Sequence, residues 1–208
     1  MTAGAVSSRR PAGAILAGGA ATRFGGLAKG LERIGETRIV DRVVAALHEV
    51  ASDIVVVGAP LTIAGALPAL RTVPDGAPGS GPLGGILTAL RATGGDTVVL
   101  AWDMPFVTAA DLWPLLTAPL EADASVWELD GRFEPLCALY RVRALGALEQ
   151  AFAEGERSPR EALRRLRLHK IGRDSIADPS PFTSVNTPEQ LAAARARHPT
   201  IPNDRELR

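Results

Sequence analysis

Short apolar runs alternate with longer segments of helical spacing along this chain. Ala12–Ala17, Asp53–Val57, Leu70–Val73, Thr97–Trp102, Ala124–Leu129 and Pro135–Tyr140 are rich in Val, Ile and Leu and read as buried strands. Between the first two lies Ile39–Val50, in which Ile39, Val43, Ala46, Leu47 and Val50 share one helical face; Leu83–Arg91, led by Gly-Pro, is a second helical stretch. This alternation predicts a three-layer α/β/α protein with a mainly parallel sheet. A closing helix is expected in "NTPEQLAAARAR", with Thr187 as N-cap, Pro188 at the first helical position and Gln190 completing a capping box. No repeat or linker divides the chain, so one domain over residues 10–198 is expected, with flexible termini at 1–9 and 199–208.

Composition narrows the partners. The 208 residues are 46% apolar and carry 23 basic and 23 acidic side chains, so no global positive field would recruit nucleic acid or an anionic membrane. The single cysteine, Cys137, rules out an intrachain disulfide and fits a reducing compartment, with cytoplasm the expected location. The start "SSRRPAGAILAGGAA" imitates a twin-arginine export signal, but its short apolar part runs directly into Thr22 and Arg23, so export is not expected. No apolar run approaches the ~20 residues of a membrane-spanning helix.

The candidate chemistry begins after the first strand, in "AILAGGAATRFGGLAKGLERIG", residues 14–35. Ligands of open α/β sheets bind beyond the carboxyl ends of strands, and paired glycines there let backbone N–H groups approach an anion. The spacing is neither the dinucleotide fingerprint G-x-G-x-x-G nor the P-loop, because Ala28 precedes Lys29 and Gly30 follows it. Only Lys29 and Lys170 are lysine among 23 basic residues. A compact ammonium suits a phosphate whose charge shifts during reaction; a solvated lysine in a turn is the alternative reading. Asp103 ends the apolar "TVVLAW", where a carboxylate is positioned to hold Mg²⁺, which takes only one or two protein carboxylates besides water and phosphates. The alternative for Asp103 is helix capping, a task that Thr108 and Asp111 already fill.

The run "LAGGAATRFGGLAKGL" resembles the signature of the molybdenum cofactor guanylyltransferase family, and three further motifs follow in that family's order: "VPDGAPGSGPLGGI" (73–86), "AWDMPFVT" (101–108) and "SVNTPEQL" (184–191). The resemblance implies a Rossmann-like sheet of the nucleotide-diphospho-sugar transferase type. It implies nucleotide contacts from Leu16, Ala17, Gly18, Gly19, Lys29, Asp75 and Asp103, with Arg23 and Lys29 neutralising the triphosphate. It suggests Asn186 as a second oxygen beside an Mg²⁺ held by Asp103, or as a group on the pterin side; helix capping is the alternative for Asn186, as a turn aspartate is for Asp75. The implied reaction is transfer of GMP from GTP to the phosphate of the molybdopterin cofactor. A phosphate monoester is largely ionised at neutral pH, its second pKa being about 6, so no general base is needed. His48, His169 and His198 are accordingly read as surface residues.

Several features are specific to this chain. "GERSPREALRRLRLHK" (155–170) reads as a basic amphipathic helix with Arg157, Arg160, Arg164 and Arg167 on one face, either a solvated surface or a grip on the pterin phosphate or on a protein that delivers or accepts the cofactor; Arg157 is the pterin-side candidate. Glu134 precedes Pro135 where many relatives have His-Pro, Gly58 stands where some relatives have a nucleotide-contacting asparagine, and Trp102 replaces a small residue or cysteine. A cytidylyltransferase using CTP and a non-catalytic nucleotide-binding homologue are the competing functions, and a nicotinamide-dependent oxidoreductase fails on the glycine spacing.

Overall fold

The computed structural model describes residues 10–18, 29–59, 61–172 and 180–197. Seven strands build the main sheet: β1 (Ala12–Leu16), β4 (Ile54–Val57), β5 (Arg71–Val73), β6 (Thr97–Ala101), β7 (Ala124–Leu129), β8 (Arg132–Tyr140) and β9 (Leu168–Gly172). A separate two-residue hairpin, β2 (Arg33–Ile34) with β3 (Thr37–Arg38), lies between β1 and β4 in the chain. The main sheet runs β5-β4-β1-β6-β8-β7-β9, and β8 alone is antiparallel to its neighbours. A mainly parallel sheet must be covered on both faces, which explains the uninterrupted apolar runs of its strands.

Helix α1 (Ile39–Val50) covers one face. Its Val40, Val43, Leu47 and Val50 are buried against Ile15, Val56, Val98 and Leu100, at about 1.5–3 kcal/mol for each large side chain removed from water. Helices α3 (Pro82–Thr93), α5 (Ala144–Ala153) and α6 (Pro159–Leu163) cover the other, where Leu83, Ile86, Leu87 and Leu90 pack on Leu16, Val55, Val57 and Val99. Shorter helices are α2 (Leu61–Ala66) and α4 (Ala109–Leu112). The closing helix α7 (Pro188–Arg197) buries Leu191 and Ala194, with Val185, against Ile34 and Ile39. Its start matches the expected capping box: the Gln190 side chain accepts from Asn186 N and Thr187 N, and Gln190 N donates to Thr187 Oγ1. Arg195 fastens α7 to the hairpin by donating to the Arg33 carbonyl and to Glu32.

The expected long basic helix over 155–170 is a correction. Only α6 is helical there; the chain turns through 164–166 and enters β9. Ser158 and Pro159 start the helix, but Leu166, Leu168 and Lys170 already follow the two-residue period of a strand. Asp123 secures that switch. Its carboxylate accepts from the Arg167 backbone N–H at 3.0 Å and from the Arg167 and Arg143 guanidinium groups, and its backbone N–H donates to the Arg167 carbonyl. Those bonds draw residue 167 alongside β7, where β9 completes the sheet.

The same bonds hold the Asp123 carboxyl well below the usual carboxylate range, chiefly through the Arg167 side chain, against the opposing effect of burial. A lowered folded-state pKa stabilises the fold fully above the unfolded value near ~3.9, and that contribution is lost as pH falls through the folded pKa. Both arginines are substantially exposed, so screening trims the effect. Asp123→Asn is expected to cost about 1–2 kcal/mol at pH 7 in urea unfolding, a deficit that narrows as pH drops below ~4.

Candidate active site

Three side chains from distant parts of the sequence meet beyond the carboxyl ends of β1 and β6. The Lys29 ammonium donates to Asp103 Oδ2 at 2.6 Å and to Asn186 Oδ1 at 2.6 Å. Lys29 opens a 3₁₀ turn, Lys29–Leu31, that leads into the hairpin and α1. Asp103 lies two residues past the end of β6, and Trp102 N, donating to the Leu16 carbonyl, keeps that end against β1. Asn186 arrives through α7: Val185 N donates to the Asp103 carbonyl, and the α7 capping box frees the Asn186 side chain to face Lys29. Asp103 is not a helix cap, because the Thr108 N–H and hydroxyl both donate to Asp111 at the start of α4. The Lys29 and Asp103 side chains are only 16% and 14% exposed, so their charges are weakly screened and each depends on the other.

A carboxylate oxygen and an amide oxygen brought to one cation form a hard-oxygen pair, the donor type Mg²⁺ takes. Among the described residues no cluster of three His, Cys, Asp or Glu side chains forms a self-sufficient metal cage. The residues present therefore fit an ion that completes its shell with water and substrate phosphates.

A second cluster adjoins the first across β1. A methyl group placed on Gly18 would lie 4.0 Å from Asp75 Oδ2, and one on Gly58 would lie 3.3 Å from the Gly18 backbone and 3.5 Å from Asp75 Cβ. Gly58 has φ +69°, a conformation most side chains avoid, so it contributes backbone alone to this corner. Asp75 also accepts from Ala77 N at 3.0 Å, the turn role weighed for it. The Leu16 and Ala17 side chains are buried in the core, so these residues offer a ligand only backbone. Gly19 and Arg23 lie outside the described residues.

Trp102, whose presence before Asp103 nothing in the sequence explains, walls in Lys29. It is 3% exposed, and the Lys29 ammonium lies 5.8 Å from its ring centre. A Cβ on Gly30 would come within 2.4 Å of the ring. The Gly after Lys29 and the Trp before Asp103 are thus two halves of one contact, which the sequence separates by more than seventy positions.

Arg157 does not join this assembly. Its guanidinium lies 4.1 Å from the Phe152 ring centre and donates to the Phe152 and Glu156 carbonyls at the end of α5. Arg160 and Arg164 instead line a cavity of about 610 Å³ with Arg132, Phe133 and Lys170. Beside it stands Glu134. Burial raises its carboxyl above the usual range and the negative charge of Asp103 adds to that, opposed by the Leu136 N–H and by Arg160. Cys137 is buried and burial pushes its thiol well up, which leaves it inert. His48 is exposed on α1 and His169 pairs with Ser125 on the sheet; neither belongs to the cluster. His198 lies outside the described residues.

A doubly wound sheet carrying a lysine, an aspartate and a glycine corner at its strand ends defines a nucleotide-binding α/β protein of the nucleotidyltransferase type. The chain belongs to the MobA-like NTP transferase domain family, whose pattern matches residues 13–171. It is 37% identical over 196 residues to a protein of Chloroflexus aggregans named probable molybdenum cofactor guanylyltransferase, covering 88% of this chain and 93% of that one. A molybdenum cofactor guanylyltransferase of Cereibacter sphaeroides is 36% identical over 191 residues, with 88% and 95% covered. The crystal structure of molybdopterin-guanine dinucleotide biosynthesis protein A from Archaeoglobus fulgidus superposes with a TM-score of 0.73 at 28% identity, covering 89% of this chain and 97% of that one. The expected fold type is also seen in 4-diphosphocytidyl-2C-methyl-D-erythritol synthase from Anaerococcus prevotii, at TM-score 0.69 and 11% identity over 92% of this chain and 97% of that one.

Gly30→Ala is expected to destabilise the protein by about 1–3 kcal/mol through the clash with Trp102, and to cost far less when introduced into a Trp102→Ala background, which is itself destabilised by loss of the buried ring. Urea unfolding of the two single variants and the double variant measures the coupling; simple additivity would refute the contact.

Proposed function

We propose that this chain transfers GMP from GTP to the terminal phosphate of a molybdopterin cofactor, with Mg²⁺, releasing pyrophosphate. The observation that carries the reading is the meeting of Lys29, Asp103 and Asn186 beside the Gly18–Gly58–Asp75 corner, in a chain more than one-third identical to relatives named for this activity. An acceptor phosphate oxygen forms a bond to the α-phosphorus of GTP, the bond from that phosphorus to the α–β bridging oxygen breaks, and its electron pair leaves with pyrophosphate. The acceptor is already ionised, so the protein's task is to position two anions and offset their repulsion.

Asp103 and Asn186 would hold the metal, which when bound supplies positive charge at the phosphates. The Gly18 backbone, the open corner at Gly58 and Asp75 would receive the nucleotide. Lys29 keeps the two oxygen donors aligned across the mouth of the site, and its flexible stem lets the ammonium follow charge as it moves to the leaving pyrophosphate. Arg23, in the same loop, is assigned a share of that neutralisation. The setting is the cytoplasm, with proteins that deliver or accept the molybdenum cofactor as partners.

The purified protein, given molybdopterin cofactor, Mg²⁺ and GTP, is expected to form the guanine dinucleotide and one pyrophosphate per turnover; formation of the cytosine dinucleotide from CTP instead would overturn the assignment. EDTA should stop the reaction and added Mg²⁺ restore it. Asp103→Asn should lower kcat by about 10²–10³-fold or more in a protein that still folds by circular dichroism, and undiminished activity would remove Asp103 from the mechanism.

A further inference from the structure

Glu134 is a shielded carboxylate that the transfer chemistry leaves unused. Its side chain is 15% exposed. Strands β6 and β8 pair from Thr97–Tyr140 to Leu100–Cys137, and continuing that register brings Glu134 level with Asp103. A bulge in β8 sets its place: Val126 on β7 faces Ala138, yet the next residue, Trp127, faces Glu134, so residues 135–137 have no partner on β7. The bulge is internally bonded. Glu134 Oε1 accepts from Leu136 N at 3.2 Å, and the hydroxyl of the buried Tyr140 donates to the Pro135 carbonyl at 2.9 Å. Oε2 lies 3.9 Å from the half-exposed Arg160 guanidinium, beyond hydrogen-bond reach. Each carboxylate oxygen accepts two hydrogen bonds, so this group has capacity for a ligand with adjacent donors.

The sheet order says which ligand. The glycine corner and Asp75 follow β1, β4 and β5, on one side of Asp103, whereas Glu134 follows from β8, on the other. We propose that Glu134 is a specificity residue for the acceptor, its carboxylate receiving the ring N–H and the neighbouring amino group of a 2-amino-4-oxo pyrimidine ring, the edge that a pterin presents. The inference rests on the guanylyltransferase reading above. Guanine carries the same pair of donors, and the position beyond β6 assigns Glu134 to the acceptor's ring rather than to the base of GTP.

Glu134→Gln tests the assignment, because the amide oxygen can still accept from Leu136 N while the amide NH₂ meets the ligand's donors with donors of its own. Two fluorescent probes report directly: 6-hydroxymethylpterin, and the corresponding lumazine, in which oxygen replaces the amino group. The wild-type protein is expected to bind the pterin ~10–100-fold more tightly than the lumazine, and Glu134→Gln to lose most of that preference. In turnover the variant should raise the acceptor KM by at least ~10-fold, with the GTP KM and the saturated kcat within about twofold. An unchanged pterin preference would overturn the proposal, as would a rise in the GTP KM alone, which would assign the residue to guanine. A fall in kcat with a shifted Mg²⁺ requirement and unchanged KM values would also overturn it, making Glu134 a metal-side carboxylate. Failure of the wild-type protein to transfer GMP would strike the underlying reading, while the probe titration still judges Glu134.

Discussion

The Lys29 ammonium, shared between Asp103 and Asn186, is the contact on which the site depends. The three residues lie 74 and 157 positions apart, and no local preference brings them together. Each arrives on a different device: a 3₁₀ turn, the end of a central strand, and a helix whose cap is filled by its neighbours. Two like-polarised oxygens would repel across this gap without a cation between them. The lysine thus maintains the geometry that a metal and a triphosphate would later use, and its own position is defined by the Trp102 ring behind it.

Gly30 and Trp102 share one packed volume beside Lys29. The Trp102 ring fills the space that a side chain at position 30 would need, so the residue after Lys29 must be glycine while the tryptophan stands there. The sum of volumes is what the core constrains, not either residue alone. The glycine that follows Lys29 is therefore explained by packing.

The fold was largely legible because the signals that define it are local. Apolar runs of strand length marked all six of the predicted strands, and helical spacing located α1, α3 and α7 to within two residues, including the cap at Thr187. The place of Asp103 just beyond a buried strand was legible for the same reason, and Thr108 with Asp111 rather than Asp103 caps the next helix. What was not legible depended on pairing across the chain. The helical reading of 155–170 failed because Asp123, more than forty residues away, captures Arg167 and turns the segment into an edge strand. The placement of Arg157 changed with it, since a guanidinium expected on a helical face packs on the Phe152 ring.

The antiparallel strand gives the sheet two chemically different sides. On the side of β1, β4 and β5 all strands run the same way, their carboxyl ends collect loops, and the corner at Gly18 and Gly58 is backbone without side chains. Across β6, strand β8 runs in reverse, so the entering end of β8 lies toward the end of β6 that leads to Asp103. Strands contribute side chains rather than loop amides, and a bulge lets one be aimed without interrupting the ladder on the other side. Backbone therefore lines one side of Asp103, and a side chain carried by a bulge lies on the other.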